Sequence, residues 1–217
     1  MPEGYCYLIG LAQREQPIAM LKMPDLETAH LIIRPFVTED LSAAHHLFDV
    51  ELRDAELRSQ KMETLTERLE WLQWVVRNHV QLALLHQPPY GDRAIILKSS
   101  QQLIGACGFV PCLNAFEQLP YFASGNVAES SVRYSTEFGL FYAISPSHQR
   151  QGYAAEAAQA LVDYAFQQLN LKRIVAETDY DNVASMGVMR KLGMRIETNP
   201  SPEPPWLQVV GVIENKT

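Results

Sequence analysis

Cysteine is scarce. The 217 residues include three, Cys6, Cys107 and Cys112. An odd number without metal-ligand spacing excludes a disulfide framework and a cysteine-built zinc site. No uninterrupted apolar run approaches the ~20 residues that cross a bilayer. The first ten residues carry no basic stretch ahead of their short apolar run, so no secretory leader is expected, and a reducing cytoplasm is the expected compartment. Positive charge is also in deficit: 18 Lys and Arg against 25 Asp and Glu leave a net charge of −7. That balance disfavours nonspecific nucleic-acid binding and favours cationic partners. G-x-x-x-x-G-K-[ST], G-x-G-x-x-G and any Ser/His/Asp order are absent, which removes three common site types. What remains, 47% hydrophobic and 20% charged, suits one globular domain with a full core.

Periodicity orders the elements. Residues 1–25 show no sustained pattern and are expected to form an N-terminal extension to a domain over 26–217. A β-rich run, Leu31 to Phe36, precedes a helix expected to be capped by Thr38, with Leu41, Ala44, His45 and Phe48 at helical spacing. Thr64 and Glu67 make a capping box for a helix to about Leu85 whose stripe is Leu65, Leu69, Leu72, Val76 and Val80. Ala94–Leu97 and Leu103–Val110 read as a hairpin. The polar, aromatic stretch Asn114 to Ser135 is too long for a simple connection; it is expected to be functional, mobile or locally structured, and is placed as one wall of a binding pocket. Phe138–Ile144 is a buried strand, followed by a loop and a long helix rich in alanine. Arg173–Thr178 is the next strand, so the three form a βαβ unit with parallel strands. A short helix from about Val183 to Leu192 ends at Gly193, a glycine placed for a helix C-terminus. Two last strands, Met194–Glu197 and Leu207–Ile213, flank a proline-rich turn. The fold class is α/β with a mixed sheet.

The loop Ser145–Ala154 lies between a buried strand and a helix start. Gly152 lets a ligand approach the backbone, the first N–H groups of the helix point outward together, and Arg150 can add a charge-assisted bond. These features suit a phosphate.

Gln149-Arg150-Gln151-Gly152-Tyr153-Ala154 reads Q-x-x-G-x-A and resembles the acyl-CoA pyrophosphate loop of the GNAT superfamily of N-acetyltransferases. Asn182-Val183-Ala184-Ser185, followed by Val188 to Met194, is similar to that superfamily's second signature. Leu31-Ile32-Ile33-Arg34-Pro35-Phe36 resembles its first strand. The pattern is most like the RimJ/RimL-type branch, named for ribosomal-protein acetyltransferases. The resemblance covers about residues 26–213. It implies a single GNAT-like domain, a mixed, mostly antiparallel sheet with a splayed parallel strand pair and flanking helices. It also implies acetyl-CoA as cosubstrate, a primary amine as acceptor (a protein N-terminus or a small molecule), direct attack in a ternary complex, no metal, and a monomer or homodimer. The backbone of Tyr142, Ala143 and Ile144 would pair with pantetheine, and Gln149, Arg150, Gln151, Gly152, Tyr153 and Ala154 would hold the pyrophosphate. Asn182 and Ser185 would contact the arm, and Asn182 is equally suited to cap its helix. Glu137 is the expected base, with Glu129 second. Many members carry a tyrosine seven residues after the asparagine; here that position is Met189, which cannot give a proton. Ser185 is the expected substitute, and Tyr142, Tyr153 and Tyr180 are the phenols nearby. The alternative is a non-catalytic acyl-CoA-binding module of the same fold.

Overall fold

The computed structural model describes residues 23–53, 64–123 and 133–216. Cys6, Glu129 and the extension up to residue 22 lie outside them. Met23 is buried in the main core.

Eight strands form one sheet, ordered β1-β2-β3-β4-β5-β6-β8-β7. They are β1 (Leu26–Glu27), β2 (Leu31–Pro35), β3 (Gly91–Leu97), β4 (Gln102–Asn114), β5 (Ser135–Ile144), β6 (Arg173–Thr178), β7 (Arg195–Thr198) and β8 (Val209–Glu214). All neighbours are antiparallel except β5 and β6. The fold is therefore the expected single α/β domain with a parallel pair inside a mostly antiparallel sheet. β4 runs on past Pro111 to Asn114. Proline is tolerated there because β3 begins opposite Phe109, so no β3 residue needs the missing N–H.

Helices cover both faces. On one, α3 (Tyr153–Gln167) and α4 (Val183–Lys191) pack over Ile174, Ala176, Leu140 and Phe109. On the other, α1 (Leu41–His45) and α2 (Leu65–Leu84) cover β2 to β4, while Ala115, Phe116 and Leu119 cover Val175, Val210 and Val212. The first part of the long connection after β4 is thus core rather than pocket wall; its aromatic residues fill the hollow over β6 and β8. Residues 124–132 lie outside the described set.

One helix start and one helix stripe differ from the sequence expectation. Thr38 is not the cap. Asp40 accepts from Val37 N at 2.9 Å and is gripped by the Arg34 guanidinium at 2.7 and 2.8 Å, so β2 and the helix are tied by a charge pair. In α2 the capping box is present, with Glu67 N donating to Thr64 Oγ1 at 3.2 Å and Thr64 N donating to Glu67 at 3.0 Å. Its buried line, however, is Arg68, Leu72 and Val75, while Leu65 and Val80 face solvent. A buried arginine is stable here because Asp49 takes its fork at 2.8 and 2.6 Å and its plane lies over Phe48 and Trp71.

Near that arginine, burial pushes the Asp92 carboxyl up to about 6, against the pull of Arg68. A carboxyl raised on folding stabilises the fold while protonated and loses that contribution as pH rises through its folded value. Asp92→Asn should therefore raise stability at pH 8 by on the order of 1–3 kcal/mol and change little near pH 4. Urea unfolding at the two pH values checks this; an equal shift at both would refute it.

Candidate active site

β5 and β6 share one register pair, Gly139 with Val175. Beyond it β5 continues for five residues paired only with β4. The two parallel strands part company there. The pleat decides which backbone groups face the opening. Ser145 N donates to Ile104 O at 2.8 Å, so alternation turns the N–H and C=O of Ala143 towards β4 and those of Tyr142 and Ile144 towards β6. Ala143, grouped with its neighbours in the sequence-based set, is therefore committed to the sheet. Tyr142 offers its N–H and C=O to the gap and Ile144 its N–H, because the Ile144 carbonyl accepts from a side chain of the loop before α3.

The same gap ends at the loop before α3. Gln149 folds back and donates from Nε2 to Ile144 O at 3.0 Å, closing the loop on the end of β5. Its side chain is spent on that clasp, and Gln151 Nε2 likewise donates to Ser147 O at 3.3 Å. Arg150 and Gly152 both adopt positive φ, 61° and 92°. Gly152 is the residue before the helix, and a Cβ built on it would meet nothing within 4 Å. Gly152 thus has open space beside it at the start of α3, the end where the helix dipole is positive. Gln149, Arg150, Gln151 and Gly152 are exposed; Tyr153 and Ala154 begin the helix. Glu156, in its first turn, accepts from Thr28 Oγ1 at 2.6 Å and His30 N at 2.8 Å, which anchors this helix end to the β1–β2 turn.

Opposite the loop, Asn182 Oδ1 accepts from Ser185 N at 3.0 Å and caps α4. Ser185 Oγ lies 3.1 Å from the Tyr142 hydroxyl, which also donates to Ser185 O at 3.1 Å. Met189 is fully buried against Gly211 of β8 and lies in the core, away from the gap.

On the other face, beside the single register pair, stand two carboxylates. Glu137 is buried, and Arg173 holds both its oxygens, from Nε at 2.6 Å and from a terminal nitrogen. The Arg173 guanidinium lies 4.9 Å from the Phe122 ring. The Glu137 hydrogen bond in turn raises the Arg173 guanidinium above its ordinary value. Glu177, two residues past Val175, accepts from the buried Asn114 amide at 3.1 Å. Burial pushes the Cys112 thiol beside it up to about 12, with Glu177 and then Glu137 adding to the shift. Cys112 reaches this position because residue 139 is glycine; a Cβ there would collide with its sulfur. Glu177 was absent from the sequence-based candidates. Its signal was the period-two alternation that puts Arg173, Val175 and Glu177 on one face. Among the described residues no group of His, Cys, Asp and Glu is arranged to hold a metal, and no helix is long and apolar enough to cross a membrane.

Residues 30–195 match the family model described as the acetyltransferase (GNAT) domain. The chain belongs to the GNAT family. YoaA of Bacillus subtilis, named an uncharacterized N-acetyltransferase, is 30% identical over 175 residues, 80% of this chain and 84% of that protein. YnaD of the same organism, named likewise, is 46% identical over 60 residues, 28% of this chain and 35% of that relative's length. RimL, a ribosomal L7/L12 alpha-N-protein acetyltransferase solved in complex with coenzyme A, shares the fold with a TM-score of 0.55 and 15% identity, over 87% of this chain and 96% of that one. The parted strands and the loop before α3 are thus features of a GNAT domain.

Proposed function

We propose that the protein transfers the acetyl group of acetyl-CoA to a cationic primary amine by direct attack in a ternary complex. The observation that carries this is the end of the β5–β6 register at Gly139 and Val175, which leaves backbone groups of Tyr142 and Ile144 facing a gap that opens onto the start of α3. In this scheme the pantetheine arm enters as a missing strand and its amides bond to Tyr142 and Ile144. The pyrophosphate rests on the N–H groups that follow Gly152, with Arg150 at its side. Asn182 and Ser185 hold the start of α4 beside the arm.

A protonated amine cannot attack a thioester, so a proton must leave it first. Both Glu137 and Glu177 lie on the face away from α3. Glu137 is engaged by Arg173 on both oxygens. Glu177 is the carboxylate suited to meet the amine. Negative net charge favours the same class of acceptor.

A screen of amines for acetyl-CoA-dependent thiol release tests the function, with spermidine, an N-terminal peptide and an aminoglycoside as probes. Thiol release above the rate with water alone is expected for at least one of these. CoA binding without any release would instead support a non-catalytic acyl-CoA module. For the best acceptor, Glu177→Gln should raise KM about tenfold, the scale of a lost charged hydrogen bond, with CoA affinity unchanged. An unaltered KM would remove Glu177 from the acceptor site.

A further inference from the structure

The departing group in this reaction is a thiolate, and Met189 offers it nothing. Three phenols stand near the gap in sequence, and the structure separates them. Tyr180 donates to Asn199 O at 3.0 Å and is about half exposed. The Tyr153 ring packs 6.0 Å from the His30 imidazole, at the outer end of α3. Tyr142 differs from both. Its backbone belongs to the part of β5 that has left β6, and its side chain crosses on the α4 side to the first turn of that helix. Its hydroxyl meets Ser185 twice, at the carbonyl and at Oγ, each at 3.1 Å. With the carbonyl taking the phenol proton, Ser185 Oγ–H is left to donate to the phenol oxygen. A phenol–serine pair therefore bridges β5 and α4 beside the proposed path of the pantetheine arm.

We propose that Tyr142, supported by Ser185, gives the proton to the departing CoA sulfur. The assignment rests on the acetyl-CoA site described above. The amine nitrogen bonds to the thioester carbon and loses a proton to Glu177 or water. The C–S bond then breaks and its electron pair goes to sulfur. The Tyr142 O–H swings from the Ser185 carbonyl to sulfur and releases its proton there. The phenolate keeps the Ser185 Oγ–H bond and regains a proton from solvent after CoA leaves. Burial raises the phenol above its ordinary value, so it carries its proton at neutral pH.

The test needs no acceptor. Free CoA is bound to the protein and its thiol is titrated by the ultraviolet absorbance of the thiolate. A phenol that donates to sulfur favours the ionised thiol. Sulfur in the wild-type complex should therefore ionise about one pH unit lower than in Tyr142→Phe, a tenfold difference in the ionisation constant. CoA affinity should change by less than about threefold, since the backbone contacts remain. Turnover with the best amine from the screen should fall ~100-fold, the usual scale for a lost general acid. A Tyr142 that merely braces α4 would change the melting temperature but leave the thiol titration where it was. Ser185→Ala keeps the phenol and removes its donor, so a shift of the same sign and about a third of the size is expected; this variant also serves should Tyr142→Phe fold poorly. Identical thiol titrations in the wild-type complex and in whichever variant folds would overturn the assignment. A wild-type protein that fails to bind CoA in calorimetry would overturn the underlying site, and the assignment with it.

Discussion

Gly152→Val is expected to weaken CoA binding at least ~1,000-fold in calorimetry. Two costs combine. The residue sits at φ 92°, a left-handed conformation that costs a β-branched side chain ~1–2 kcal/mol or forces the loop to another shape. The valine side chain would also project into the open space beside Gly152, next to where the pyrophosphate is proposed to lie. Losing two hydrogen bonds to a charged group costs ~3–6 kcal/mol, and each 1.4 kcal/mol is tenfold in affinity. Gly152→Ala separates the two costs, because it carries most of the backbone strain and little of the bulk. Binding should therefore fall in the order glycine, alanine, valine. Equal affinity in all three would place the pyrophosphate elsewhere.

Arg173→Met should destabilise the protein by ~3–5 kcal/mol, the cost of leaving a buried carboxylate without its partner. The residue left behind is Glu137, whose side chain is 6% exposed. Glu137→Gln alone should cost less, because Arg173 is more exposed and still lies over Phe122. The double variant Glu137→Gln with Arg173→Met should recover part of the single loss, giving a coupling energy of opposite sign to the two single effects. Urea unfolding of the four proteins measures it. The same set tests the chemistry. If Glu137 were the direct base, Glu137→Gln would lower kcat by ~10²–10⁴-fold. With Arg173 holding both oxygens, a kcat loss below about tenfold is expected, far under the usual worth of a general base. A larger loss in a stable Glu137→Gln protein would return Glu137 to the role that its position at the start of β5 suggested.

Local features were legible where one residue type leaves few alternatives. A glycine before an alanine-rich helix, a capping box at Thr64 and a glycine after Lys191 and Leu192 each have a narrow set of backbone solutions, and each appears where the spacing put it. The pairing of β5 with β6 as parallel neighbours followed from a strand, a helix and a strand in succession. Other features were set by partners far away in the chain. Arg68 occupies the buried line of α2 because Asp49 and two aromatic rings receive it. Asp40 displaces Thr38 as the cap because Arg34 reaches it from β2.

The sequence by itself determined the family, the order of the elements and the position of the loop that begins α3, because these rest on short-range spacing and on glycine's backbone freedom. The tertiary structure alone decided how the side chains near the gap are employed. Glu137 looked like an available base until the fold brought Arg173, 36 residues away, onto both its oxygens. Tyr142 was one of three nearby phenols until β5 and α4 placed its hydroxyl on Ser185, 43 residues away. Ala143 was withdrawn from the gap by the strand pleat, which turns alternate backbone groups to opposite neighbours. Charge pairing, hydrogen bonding and strand alternation depend on which elements become neighbours, and a linear spacing does not contain that information.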